Sequence, residues 1–110
     1  MTQILFPAQK KYLESFKKKG DELILEMERF AIEHSVPILD WHSADLIEKL
    51  ILLNKPDRVL EIGTAIAYTT IRIARCLHKG SVIHSIEKSA VNIKIAFENI
   101  EKSGISKKTF

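Results

Sequence analysis

The 110-residue chain is 45% apolar and 28% charged, a balance that suits one small folded domain and excludes a disordered segment. Lys plus Arg number 17 against 14 Asp plus Glu, and a net charge of +3 lacks the dense basic footprint of a dedicated nucleic-acid binder. The single cysteine, Cys76, excludes an intrachain disulfide and a cysteine-based zinc site. It fits a reducing, cytoplasmic setting. Met1 to Phe6 has no signal-peptide pattern, and the apolar run Leu50 to Leu53 is far short of the roughly 18 residues that span a bilayer.

In chain order, Pro7 opens a polar helical segment that Gly20 closes, since proline suits a first turn and glycine the position after a last one. Asp21 to His34 has helical spacing, with Leu23, Ile24, Met27, Phe30 and Ala31 on one face. Ser35-Val36-Pro37 breaks it. Ser43 is placed to cap a third helix reaching about Asn54, with Leu46, Leu50 and Leu53 as its apolar stripe and Ile47 and Ile51 beside it. Lys55-Pro56-Asp57 is a turn. These three helices form an N-terminal helical region, residues 1–56.

From residue 57 to 110 the pattern changes. Arg58 to Ile62 reads as a buried strand, Ala65 to His78 as a helix ended by Lys79-Gly80, and Ser81 to Ile86 as a second strand. Ser89 to Ser103 is a helix with Ile93, Ala96, Phe97 and Ile100 on one face and Gly104 as its cap. Thr109-Phe110 resembles the opening of a third strand. Strands alternating with helices imply an α/β fold around a parallel sheet.

The informative segment is Val59-Leu60-Glu61-Ile62-Gly63-Thr64-Ala65-Ile66-Ala67-Tyr68-Thr69-Thr70, at the exit of the first strand. Open α/β sheets bind ligands there, outside the carboxyl ends of their strands. Gly63 permits a tight turn and a close approach of backbone to ligand, and the helix that follows offers unpaired N–H groups to an anion. A single glycine is not the dinucleotide fingerprint. Glu61, two residues before it, suits a cationic amino group, and so an amino-acid-bearing cofactor better than NAD. Glu87 ends the second strand, 24 positions after Gly63, where an acidic residue accepts hydrogen bonds from ribose hydroxyls.

These residues, together with Val36-Pro37-Ile38, Ser85-Ile86-Glu87 and Lys102-Ser103-Gly104, resemble the class I S-adenosylmethionine-dependent O-methyltransferases of the catechol and caffeoyl-CoA type, most closely small bacterial members. The resemblance implies a Rossmann-like fold, S-adenosylmethionine as cofactor and methyl transfer to a hydroxyl acceptor, either a small molecule or a hydroxyuridine of tRNA. It implies that Glu61 and Gly63 belong to the cofactor loop and that Ala65 and Tyr68 line the methionine end. Thr69 would bind the cofactor carboxylate, Glu87 the ribose, and Val36 to Ile38 would approach from the N-terminal side. Ala67 departs from the family pattern, which has glycine there, so a left-handed backbone at this position would be strained.

The resemblance also implies a seven-stranded sheet whose later strands carry the adenine-contacting acid, the magnesium ligands and the substrate wall. On that reading the chain covers the N-terminal portion only, with no catalytic or metal-binding residue before Phe110. Its first strand would have an open apolar edge. The polypeptide alone is then expected to be poorly folded, paired with a copy of itself as a dimer, or rescued by a partner. The alternative is a non-catalytic interaction module.

Plainer readings exist at each position. Glu61 could be a turn carboxylate, Glu87 a first-turn charge, and Tyr68 and Thr69 packing or capping residues. His34, His42, His78 and His84 lack metal-ligand spacing, and His84 reads as a core or interface residue. Cys76 reads as a packed helix residue. Lys10-Lys11 and Lys17-Lys18-Lys19 read as a solvated face of one helix, with tRNA contact as the sharper alternative.

Overall fold

The computed structural model describes residues 4–18, 20–105 and 109–110. Among the described residues, five helices and two strands follow in the order α1 (Pro7–Glu14), α2 (Glu22–Glu33), α3 (Trp41–Asn54), β1 (Arg58–Ile62), α4 (Tyr68–Cys76), β2 (Val82–Ile86) and α5 (Ala90–Ser103). No described helix is long and apolar enough to cross a membrane.

α1 starts at Pro7, and the Gln9 side chain accepts the Phe6 amide proton at 3.0 Å. It stops at Glu14 instead of reaching Gly20, because the Ser15 hydroxyl takes the Tyr12 carbonyl at 2.5 Å and ends the ladder. Lys17 and Lys18 therefore lie beyond the helix and do not share a face with Lys10 and Lys11. Lys19 lies outside the described residues.

α2 matches its expected limits. Asp21 caps it by accepting the Ile24 amide proton at 3.0 Å. It ends in a Schellman turn: Ser35 is left-handed at φ 52°, and the Val36 and Ser35 amides return to the Ala31 and Ile32 carbonyls. Ile24, Met27 and Ala31 are buried on its inner face.

α3 is capped by Asp40 and not by Ser43; Asp40 Oδ1 accepts the Ser43 amide proton at 3.0 Å, so the helix starts three residues earlier. Its buried side also differs from expectation. Leu46, Leu50 and Leu53 face outward, while Ala44 is buried and Ile47 and Ile51 pack inward. Both stripes have helical spacing, and the one containing the small Ala44 lets α3 and α4 approach closely.

β1 and β2 pair in parallel from Arg58↔Val82 to Ile62↔Ile86. Alternation along the strands turns Val59, Glu61, Ile83 and Ser85 toward the helices. Leu60, Ile62, His84 and Ile86 form the opposite, exposed face, so His84 is not a core residue. Thr109 and Phe110 are not strand; Phe110 packs beside Ile83.

α5 runs from the Ser89 cap, whose hydroxyl accepts the Asn92 amide proton, to left-handed Gly104. Its buried positions are Ala96 and Asn99; Phe97, expected inside, is exposed.

One core cluster joins Ile24, Met27, Ala31 and Ala44 of the N-terminal helices to Ile66, Ala67, Tyr68, Ile71 and Ala96. Burial of an isoleucine such as Ile71 contributes about 1.5–3 kcal/mol. The turn after β1 is thus the floor on which the helical layer sits. A second cluster, Ile73, Ala74 and Ile83, seals α4 against the sheet.

Candidate cofactor site

The β1–α4 connection is a turn of unusual backbone geometry. α4 begins at Tyr68, so residues 65–67, expected to be helical, belong to this turn. Gly63 has φ +91°, Ala65 φ 49° and Ala67 φ 70°, so three of five consecutive residues are left-handed. Gly63 still donates its amide to the Ile86 carbonyl at 2.8 Å, which carries the parallel ladder one residue past β1 before the chain turns away. A side chain added at Gly63 would meet no atom within 4 Å, so the glycine serves the backbone angle and an open approach.

Two carboxylates hold this turn from the sheet side. Glu61 Oε1 accepts hydrogen bonds from the hydroxyls of Thr70 in α4 and Ser85 in β2, the latter at 2.5 Å. Thr64 Oγ1 lies 2.5 Å from the same Ser85 hydroxyl. Glu61 Oε2 has no partner among the described residues. Glu87 Oε2 accepts the Ala65 amide proton at 2.8 Å, and Oε1 accepts those of Lys88 at 2.8 Å and Ser89 at 3.0 Å. The amides of Ser89 and Ala65, then that of Lys88, hold the Glu87 carboxyl below its ordinary pKa. The Asn92 side chain is a fourth hydrogen-bond partner of this carboxylate and fills its roughly four acceptor sites, so a ligand hydroxyl at Glu87 would take the place of Asn92.

Register puts Glu61 opposite Ser85, and Glu87, one residue past the end of β2, continues the inward alternation of Ile83 and Ser85. Glu61 and Glu87 therefore belong to one side of the sheet and bracket the Gly63–Ala65 turn. α4 lacks a side-chain cap, so its first-turn amides, of which Thr69 is the half-buried one, have no side-chain acceptor. An open cleft of about 1010 Å³ continues from Thr64, Ser85 and Glu87 along β2 to Phe97 of α5.

The profile of the protein-L-isoaspartate(D-aspartate) O-methyltransferase family matches residues 26–110. The chain is a member of the class I S-adenosylmethionine-dependent O-methyltransferases. Solved structures agree. A candidate caffeoyl-CoA O-methyltransferase from Staphylococcus aureus is 31% identical with a TM-score of 0.80, over 92% of this chain and 48% of that one. An O-methyltransferase of Bacillus cereus, solved with S-adenosylhomocysteine, is 25% identical with a TM-score of 0.78, over 89% and 46% of the two chains. The O-methyltransferase TomG of Streptomyces achromogenes, solved with S-adenosylmethionine, is 25% identical with a TM-score of 0.77, over 89% and 45%. The chain spans about half the length of these proteins.

The donor set of this methyltransferase chain fits the cofactor. An unshared carboxylate oxygen on Glu61 suits an ammonium group, the uncapped start of α4 suits a carboxylate, and Glu87 suits a ribose hydroxyl that takes the place of Asn92. Ala65 contributes its amide, which Glu87 holds. Thr69 sits half-buried in the first turn of α4. Val36 and Ile38 pack on the core that contains Ile66 and Ala67.

Tyr68 differs from expectation. Its ring is 2% exposed, and its hydroxyl donates to Glu28 Oε1 at 2.7 Å and accepts from Arg72 at 2.8 Å. Arg72 in turn donates to Glu48 at 2.6 Å. The side chain ties α4 to α2 and α3. Burial pushes the Cys76 thiol up from its ordinary pKa, with a smaller push from Glu48, which fits a packed helix residue.

Three supporting residues were not legible as such. Ser85 and Thr70 read as ordinary strand and helix positions, yet both bind Glu61. Asn99, lost in the helical pattern of α5, donates to the Ile66 carbonyl at 2.9 Å. The sequence signal for Asn99 is a polar residue three positions after Ala96 and directly before Ile100. Among the described residues no group of three or more His, Cys, Asp or Glu could hold a metal ion, so a divalent ion of the kind the resemblance implies would need other ligands.

Proposed function

We propose that this chain forms the donor side of an O-methyltransferase and binds S-adenosylmethionine between Glu61, the uncapped start of α4 and Glu87. The observation that carries this reading is the pair of carboxylates bracketing one left-handed turn, with one Glu61 oxygen unshared. Bound there, the cofactor supplies a sulfonium methyl group for transfer to a nucleophilic oxygen. The chain's residues orient it: Glu61 takes the amino group, α4 the carboxylate, Glu87 the ribose. Catalysis of this kind depends mainly on positioning donor and acceptor. The acceptor is a hydroxyl group on a small molecule or on a tRNA hydroxyuridine. The lone, half-buried Cys76 fits work in the reducing cytoplasm.

The test is calorimetry with two ligands, S-adenosylhomocysteine and 5′-methylthioadenosine, which lacks the amino-acid end. Glu61→Gln is expected to weaken S-adenosylhomocysteine at least tenfold and leave 5′-methylthioadenosine within twofold. Glu87→Gln is expected to weaken both. Equal loss of both ligands in Glu61→Gln would remove the amino-group role.

The exposed sheet face favours a second reading, association with another copy of the chain. Leu60 is 66% and Ile62 73% exposed beside Ile86, a contiguous apolar surface of the kind that marks contacts. A dimer that forms through this face and binds no nucleoside would identify an interaction module.

A further inference from the structure

The Ile66–Ala67 peptide lies at the centre of the cofactor turn, and both of its polar atoms are held. The Ala67 amide donates to the Thr64 carbonyl at 2.9 Å, within the turn itself. The Ile66 carbonyl accepts from Asn99 Nδ2 at 2.9 Å, across from α5. Ile66 and Ala67 are both fully buried, so no water can replace Asn99 without opening the core. Ala67 is the N-cap of α4 with a left-handed backbone, and its own carbonyl accepts the Ile71 amide proton at 3.0 Å. The orientation of that one peptide therefore sets the direction of α4 and of its first-turn amides.

We infer that Asn99 is a positioning residue for the cofactor: its side-chain amide fixes the Ile66–Ala67 peptide so that the first-turn amides of α4 face the cofactor's carboxylate. The inference rests on the cofactor reading above and deepens it. Asn99 does not touch the ligand. Only a neutral donor of this reach satisfies the carbonyl from α5; an ionised carboxylate would set charge against a buried oxygen. Glu87 and Asn99, both in the β2–α5 segment, thus grip the turn from two sides, one at Ala65 and one at Ile66.

The test compares Asn99→Ala and Asn99→Asp with Ile51→Ala, a control in the α3 packing face that touches neither turn nor ligand. Two readouts are taken on the 110-residue chain: S-adenosylhomocysteine affinity, and hydrogen exchange of the Ala65 and Ala67 amides. Asn99→Ala is expected to lose at least tenfold in affinity and to exchange Ala67 at least tenfold faster. Ile51→Ala, at equal or greater loss of thermal stability, is expected to keep affinity within twofold. Asn99→Asp, also the fallback should Asn99→Ala not fold, is expected to gain affinity relative to the parent as pH falls and its carboxyl regains a proton to donate. Equal affinity losses in Asn99→Ala and Ile51→Ala, unchanged Ala67 exchange, or a flat pH response in Asn99→Asp would overturn the inference. A parent chain that fails to bind S-adenosylhomocysteine would instead defeat the cofactor reading, and Ala67 exchange alone would then decide whether Asn99 positions the turn.

Discussion

Glu87 and Ala65 are joined by a 2.8 Å hydrogen bond from the Ala65 amide to Oε2, which ties the end of β2 to the turn that follows β1. The contact links the two strands beyond their ladder, at the point where a ligand would enter. It makes Glu87 a structural clamp on the turn, the residue that the proposed function assigns to the cofactor ribose.

The pH dependence follows from that bond. The Glu87 carboxyl is held below the ordinary 4.5 in the folded chain, so its contribution to stability is present above that value and disappears as pH falls through the depressed one. Thermal melts between pH 6 and 3 are expected to show an acid-side loss that is smaller in Glu87→Gln than in the parent. Parallel melting curves in the two proteins would contradict the clamp.

Ala67 is a left-handed, non-glycine residue in a fully buried turn, with φ 70° and ψ 21°. A left-handed alanine costs roughly 1–2 kcal/mol, partly offset by the buried methyl group and by the greater unfolded-state entropy of glycine. Ala67→Gly is expected to stabilise the chain by up to about 1 kcal/mol and to tighten S-adenosylhomocysteine binding. Denaturant melts and calorimetry measure both.

Tyr68 provides a spectroscopic check on the helical layer. Burial first, then the hydrogen bond to Glu28, push its hydroxyl from 10.0 up to about 12. Because the folded value is raised, the stabilisation is complete below pH 10, erodes above it and is lost above about pH 12. Ultraviolet titration at the phenolate band is expected to show a late-ionising tyrosine, and Tyr68→Phe is expected to abolish that phase.

Leu60 and Ile62 project from the uncovered sheet face. If the second copy docks there, Leu60→Lys with Ile62→Lys turns the face polar and raises the monomer fraction in analytical ultracentrifugation at high concentration. An unchanged sedimentation profile would place any association elsewhere.

Glu61 joins two hydroxyl groups whose elements are distant in sequence. Glu61→Ala is expected to leave the fully buried Thr70 hydroxyl without its acceptor and to cost about 1–3 kcal/mol in stability, read by chemical denaturation.

The sequence by itself determined the order of elements, the limits of β1 and α5, and the segment around Gly63 as a turn at the exit of β1. These are local properties. Short apolar runs bounded by turn residues mark the strands, Ser89 and Gly104 mark helix ends, and Gly63 after the first strand marks a turn. It could not decide which of two apolar stripes on α3 turns inward, since Ala44-Ile47-Ile51 and Leu46-Leu50-Leu53 both repeat at helical spacing and only the closeness of α4 chooses between them. Nor could it show that residues 65–67 leave the helical pattern, because alanines with good helix propensity are held left-handed by contacts to Glu87, Thr64 and the buried core. The roles of Ser85, Thr70 and Asn99 were decided by tertiary structure alone. Each is defined by a partner at least nine residues away, and a hydrogen bond across that separation exists only once the crossover has closed.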